Sequence, residues 1–279
     1  MKELTFHYLL RIRFSGPVTD HRFTVRCVPR DNERQKIRHL EISVLPKESL
    51  SSNIDSFGNY CIYGHCRSPH RLFEVKVQGL VSVGLSPWEY AGKDYLMGRY
   101  RYQTAYTKPG KTLTEFFRQF SFSEEMGNLE KGRYMMKALS EHFSYEKGVT
   151  GIGTTAEEAF SLGKGVCQDY AHIFISLCRM AGIPARYVAG MLIGEGASHA
   201  WVEVYDNERW YGLDPTNMLE VNEEHIKISN GRDYGDCILN QGIMTGIAKQ
   251  DQEVEILVEE RKEENFREDP DTVKQTDSK

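Results

Sequence analysis

The sequence has no long apolar run. No stretch approaches the ~18 consecutive apolar residues that a membrane-spanning helix requires. Leu9 and Leu10 could suggest a targeting peptide, but Arg11 and Arg13 interrupt the run and no small-residue cleavage site follows. We therefore expect no targeting peptide and no contact with a membrane.

The chain also lacks a basic excess and a disulfide pattern. Lys and Arg number 35 against 40 Asp and Glu, a formal net charge of −5, so no basic surface that would favour nucleic acid is expected. The six cysteines are scattered, and one of them is needed below as a free thiol. This pattern favours a reducing compartment, and we predict a cytoplasmic protein. The sequence does not indicate an oligomeric state.

Two hydrophobic patterns divide the 279 residues. Residues 1–85 alternate apolar and polar side chains with a period of two, between Gly, Pro and Asn turns, which predicts an antiparallel β-sandwich-like domain. Residues 86–258 are predicted to form helices first and strands afterwards, ending with a strand at Val254–Val258. The charged residues 259–279 are expected to be a disordered tail.

Two segments of the second domain have the spacing of capping boxes, in which a hydroxyl residue and an acid three positions later satisfy the first amides of a helix. These are Thr112-x-x-Glu115 and Thr154-x-x-Glu157. Each predicts that a short helix begins there.

The most informative segment surrounds Cys167, in Gly163-Lys164-Gly165-Val166-Cys167-Gln168-Asp169-Tyr170-Ala171. Apolar spacing predicts a helix over residues 167–181, with the cysteine in its first turn. There the unpaired backbone amides and the positive end of the helix dipole favour a thiolate and can hold an oxyanion. Cys178 on the same helix is expected to be an inert core residue, and His172 a surface group.

Two later segments supply a histidine and an acid. His199 lies near the start of a predicted strand over residues 198–206, and Asp214 follows a second strand over residues 209–213. Pairing Val202 roughly opposite Tyr211 would bring the two side chains together. A thiol needs an imidazole to become a nucleophile, and a carboxylate holds that imidazole in the correct tautomer, so Cys167, His199 and Asp214 are the predicted catalytic residues.

These motifs together resemble the transglutaminase-like superfamily of cysteine enzymes, in its bacterial, protease-like branch. The matching segments are the turn around Cys167, Gly182-Ile183-Pro184-Ala185-Arg186-Tyr187-Val188-Ala189-Gly190, Ser198-His199-Ala200-Trp201-Val202-Glu203-Val204, and Asp214-Pro215-Thr216-Asn217. The resemblance implies an α+β protein in which the N-terminal β domain precedes a papain/transglutaminase-like core of helices packed on an antiparallel sheet.

Three functions are compatible with this pattern. The resemblance favours a hydrolase that cleaves a peptide or protein amide through a thioester. The same thioester could instead be captured by an amine, as in a transglutaminase, or the core could be retained for binding alone. We expect no cofactor.

A possible zinc site competes with this view. Cys61, His65, Cys66 and His70 lie within ten residues, but they are predicted to lie between two strands, where alternation would send the two cysteines to opposite faces. We therefore predict no metal.

Overall fold

The computed structural model describes residues 1–261. Its strands, numbered in chain order, are β1 (Lys2–Val25), β2 (Gln35–Leu45), β3 (Ser49–Ile54), β4 (Tyr60–Cys66), β5 (His70–Val83), β6 (Trp88–Tyr90), β7 (Ser144–Tyr145), β8 (Lys164–Gly165), β9 (Ala185–Leu192), β10 (Gly194–Gly196), β11 (His199–Asp206), β12 (Arg209–Asp214), β13 (Leu219–Glu220), β14 (His225–Gly231), β15 (Asn240–Thr245) and β16 (Gln250–Glu260). The α-helices are α1 (Lys111–Phe117), α2 (Asn128–His142), α3 (Ala156–Leu162) and α4 (Cys167–Met180), and 3-10 helices cover Asp94–Tyr100 and Tyr234–Asp236.

The N-terminal part is an antiparallel sheet organised by the long strand β1. The first half of β1 pairs with β5 and β16, and its second half pairs with β4 and β15. Inward side chains alternate along it, from Leu4, which is fully buried, to Val25. The period-two pattern of the sequence therefore lines one apolar core.

The last strand joins this N-terminal sheet. β16 pairs with β1 over eleven residues, from Leu4 opposite Glu260 to Phe14 opposite Gln250. The predicted strand at Val254–Val258 thus exists, but its hydrogen-bonded partners are in the N-terminal sheet and not in the sheet formed by β9, β11 and β12. The domain boundaries near residues 85 and 258 stay predictions, and residues 262–279 of the expected tail lie outside the described residues.

The second sheet has the strand order β13-β12-β11-β9-β14, with β6 on β12. One face is covered by α4, which is nearly all buried, and by α2. The α+β prediction is confirmed, with helices packed on an antiparallel sheet. In residues 1–261 no helix combines the length and the apolar character needed to cross a membrane.

Both predicted capping boxes are wrong in detail. Helix α3 begins one residue later than expected, because Thr155 and Glu158 form its capping box. Glu157 instead reaches across to α1, where its carboxylate accepts hydrogen bonds from the amides of Gly110, Thr112 and Leu113. A glutamate of α3 thus accepts hydrogen bonds from the amides at the N-terminus of α1. The spacing of residues within one segment cannot reveal such a contact between two helices.

Candidate active site

Cys167 is the first residue of α4, where the sequence predicts it. It is partly exposed, whereas Cys178 three turns along the helix is fully buried, and burial raises the pKa of the Cys178 thiol well above its ordinary value. The Asp169 amide donates to the Val166 carbonyl, whereas the first two amides of a helix have no partner within it. Cys167 is therefore a solvent-accessible thiol at the positive end of a helix dipole.

Asp169 fixes the chain on the N-terminal side of Cys167. Its Oδ2 accepts hydrogen bonds from the Val166 amide at 2.7 Å and the Thr150 hydroxyl at 2.6 Å. A Cβ on Gly165 would collide with this carboxylate, so the close approach requires glycine. Burial raises the pKa of Asp169, although both hydrogen bonds oppose the rise. Asp169 is a structural clamp on the turn that presents the thiol.

His172 and Gln168, two further polar residues near the start of α4, make different contacts. His172 is fully buried and its Nε2 accepts a hydrogen bond from the Tyr234 amide, so the prediction of a surface histidine is wrong. Gln168 donates through its amide to the Ile152 carbonyl at 3.2 Å.

His199 and Asp214 lie on neighbouring strands of the second sheet. The hairpin between β11 and β12 turns at Asn207 and Glu208, both with positive φ, and pairs Asp206 with Arg209. This two-residue turn sets the register. Val202 consequently lies opposite Leu213 rather than Tyr211, a shift of two residues that leaves every side chain on its expected face.

The structure brings the predicted histidine and acid into contact. His199 Nε2 lies 2.7 Å from Asp214 Oδ2, and Asp214 is fully buried. The other carboxylate oxygen, Oδ1, accepts from the amides of Thr216 and Asn217, while Asn217 Nδ2 donates to Oδ2 at 2.7 Å. The contacts with His199, His225 and the Asn217 side chain hold the pKa of Asp214 far below its usual range despite the burial that would raise it. The carboxylate is therefore charged and rigidly held.

His199 also contacts Cys167. Burial lowers the pKa of this imidazole, but hydrogen bonds with Asp214 and Cys167 outweigh the burial and raise the pKa to about 9. With Nε2 engaged by the carboxylate, Nδ1 is the nitrogen left for the thiol. This is the arrangement that a thiolate–imidazolium pair needs.

A second histidine, His225, binds the same carboxylate and was missed in the sequence. It opens β14 and its Nε2 lies 3.3 Å from Asp214 Oδ2. A single histidine before a short apolar run carries no local signal, and its position depends on the strand order of the whole sheet. Trp201 packs against both imidazoles. Its ring lies so close to Gly190 that a Cβ there would collide with it, so glycine at this position makes room for the indole.

Two family models match the chain. A model of the transglutaminase-like superfamily matches residues 118–215, and a model of the bacterial transglutaminase-like N-terminal region matches residues 4–82. An uncharacterized protein of Mycobacterium tuberculosis is 30% identical over 265 residues, which span 83% of this chain and 84% of the relative. The chain belongs to the transglutaminase-like superfamily.

Two further relatives bear on this transglutaminase-like protein. A crystal structure from Cytophaga hutchinsonii, named provisionally as a cysteine protease, superposes with a TM-score of 0.73 at 20% identity and covers 92% of this chain and 90% of that one. It shows the same fold. A protein-glutamine gamma-glutamyltransferase of Pseudomonas aeruginosa is 31% identical over 105 residues, 30% of this chain and 16% of that protein.

The transglutaminase-like protein contains one group of potential metal ligands within the described residues. His199, Asp214 and His225 each offer one donor atom, and these atoms lie within 4.8 Å of one another. Two imidazoles and a carboxylate suit Zn²⁺ in kind. However, the 2.7 Å contacts of Asp214 with His199 and Asn217 are hydrogen-bond distances that already use the carboxylate. The geometry is that of a hydrogen-bond network, and the absence of metal stays a prediction.

The cysteine and histidine cluster of the N-terminal sheet does not converge. The Cys61 thiol faces Asp55, and His65 pairs with Asp20. Cys66 Sγ lies 3.3 Å from His70 Nδ1 and points to a glutamate. Of the four candidate ligands, only Cys66 and His70 therefore contact each other, and Cys61 and His65 have other partners.

Proposed function

We propose that this transglutaminase-like protein is a cysteine-dependent hydrolase of peptide or protein amides, located in the cytoplasm, with Cys167 as nucleophile, His199 as acid and base, and Asp214 as the group that orients the imidazole. The observation that carries the proposal is that one imidazole bonds both a thiol at a helix N-terminus and a buried carboxylate. An imidazole held in this way can take the thiol proton as the sulfur attacks.

The residues account for each proton in the reaction. Cys167 Sγ attacks the amide carbonyl carbon after His199 has taken the thiol proton, and the amides at the start of α4 donate hydrogen bonds to the developing oxyanion. When the C–N bond breaks, the proton on His199 goes to the leaving amine, and a thioester remains. Neutral His199 then takes a proton from water, whose hydroxide attacks the thioester. The acid leaves, and the thiolate–imidazolium pair returns.

Labelling with a thiol-reactive peptide probe, followed by mass spectrometry of the adduct, tests the nucleophile. Cys167 is expected to be labelled, while the fully buried Cys178 serves as the internal control. Because the His199 pKa is raised to about 9, turnover should fall as the pH rises through that value and the imidazolium is lost. Equal labelling of Cys167→Ala, or no labelling of the native protein, would remove the support for this function.

Transfer to an amine is the second candidate, favoured by the named activity of the Pseudomonas aeruginosa relative. An acyltransferase must exclude water, which is present at ~55 M, and bind the amine close to the acyl carbon, where correct positioning can reach effective molarities of about 10⁵ M or more. The segment before His199 is open, since Gly194, Glu195 and Gly196 are all exposed. We therefore expect millimolar primary amine to divert only a minor share of the acyl-enzyme. If the amide product dominates, the function is acyl transfer rather than hydrolysis. If the protein shows no turnover but still binds peptide, it is a binding module.

A further inference from the structure

One oxygen of the Asp214 carboxylate lies close to two histidines. Asp214 Oδ2 lies 2.7 Å from His199 Nε2 and 3.3 Å from His225 Nε2. The two imidazole rings approach from different strands, with centroids 6.1 Å apart. Because His225 and Asp214 are both almost completely buried, no bulk water can replace either contact.

The proton on His225 can be assigned from its other neighbour. Asn222 Oδ1 accepts the Glu224 amide at 2.9 Å, which identifies that atom as oxygen. His225 Nδ1 lies 3.0 Å from the same Oδ1 and must therefore carry a hydrogen. A neutral His225 consequently has no hydrogen on Nε2, and its lone pair faces the Asp214 carboxylate. Only a second proton turns this 3.3 Å contact into a hydrogen bond.

The charges around His225 oppose one another. Burial lowers the pKa of His225, Asp214 acts to raise it, and the nearby charges of His199 and Arg34 lower it further. His199 has the opposite balance, with a pKa raised to about 9. The first proton that enters this network at neutral pH therefore belongs to His199, and its charge disfavours a second proton on His225.

We propose that His225 is a positioning residue that shares the Asp214 carboxylate with His199, so that a proton on either imidazole weakens the hold of the carboxylate on the other. When His225 is neutral, it does not compete for the Asp214 carboxylate, which then bonds His199 and orients it for the reaction. A protonated His225 donates to Oδ2 and competes with His199. This role rests on the proposed function, in which His199 is the acid and base.

The test is an NMR titration of histidine Cε1–H signals in the full chain, assigned by single substitutions. In His199→Gln the competing positive charge is gone, so the pKa of His225 should rise by roughly one unit. The reciprocal variant, His225→Gln, places a permanent N–H donor near Oδ2 and should lower the His199 pKa by roughly half a unit. His39→Gln, an exposed histidine on β2, is the control and should move neither value.

Kinetics separate positioning from packing. His225 is almost completely buried and cannot reach the substrate, so His225→Gln should leave KM unchanged. Its kcat should fall, and the alkaline limb of kcat should move to lower pH together with the His199 pKa. A role in packing alone would lower the melting temperature without moving that limb.

The titration needs no substrate, so its outcome does not depend on the hydrolase proposal. An unchanged His225 pKa in His199→Gln, or an unchanged His199 pKa in a folded His225→Gln, would overturn the shared carboxylate. If His225→Gln does not fold, the titration of His199→Gln still tests the proposal, because His199 is partly exposed and its replacement disturbs the core less. Loss of probe labelling at Cys167 with both pKa shifts present would refute the function and leave the coupling intact.

Discussion

A buried ion cluster lies on the same sheet face as His199 and His225. Glu203 is two residues beyond Trp201 on β11, and it bonds Arg186 and Lys227, the latter at 2.9 Å. Glu89 of β6 bonds the same two cations, at 2.7 Å for Arg186 and 2.8 Å for Lys227. Two anions and two cations therefore balance, with each side chain almost fully buried.

Glu203→Gln should remove one anion and leave an uncompensated positive charge in this cluster. Breaking a buried ion pair on one side costs about 3–5 kcal/mol, a large part of the about 5–15 kcal/mol that holds a typical domain folded. At about 2–4 °C per kcal/mol for a domain of this size, the melting temperature should fall by about 6–20 °C. The double variant Glu203→Gln, Lys227→Met is neutral again and should be more stable than the single one.

The pH dependence of this stability follows from Glu203. Burial alone would raise its pKa, but Arg186 and Lys227 outweigh burial and lower the pKa to about 2. A lowered folded-state pKa contributes stability above the ordinary glutamate range, and that stability is lost as the pH falls toward about 2. The native protein should lose stability in this range, and Glu203→Gln should lose less.

Urea unfolding followed by circular dichroism measures both effects. The exposed Arg133–Glu220 pair, at 2.7 Å, offers a matched control, since Glu220→Gln breaks an ion pair that lies in water. That control should cost less than about 1 kcal/mol. A loss below 1 kcal/mol in Glu203→Gln, or a double variant as unstable as the single one, would refute the reasoning.

Three further outcomes are expected at the site. Cys167→Ala should abolish turnover with little change in melting temperature, because a partly exposed first-turn residue fills little core; full activity would exclude it as nucleophile. His199→Ala should slow alkylation of Cys167 at neutral pH, measured with iodoacetamide, and an unchanged rate would leave activation to the helix dipole alone. Asp214→Asn should reduce kcat less than either, yet lower the melting temperature, since its new amide group would face the N–H donors of Asn217 and His199. A chelator should leave activity unchanged, and elemental analysis should show no stoichiometric zinc; stoichiometric metal would contradict the prediction of no metal.

Local patterns predicted the parts of the site that local geometry determines. The glycine turn before Cys167 and the strand alternation around His199 are features of short segments, and the structure has both elements as expected. His225 and Glu157 were missed because their partners come from other elements, through strand order in one case and helix packing in the other. The exposed position expected for His172 failed for the same reason: Tyr234, far along the chain, covers it.

The two sheets meet just before His199. β10 pairs with β16, with Gly194 opposite Val258 and Gly196 opposite Ile256, and β16 in turn pairs with β1 of the N-terminal sheet. Only Ala197 and Ser198 separate β10 from His199. The residues of β10 are exposed, but their backbone is paired with β16. Since the imidazole follows this anchor by three residues, the N-terminal sheet is part of what positions His199, and a fragment that begins at residue 86 would release one end of the strand that carries it.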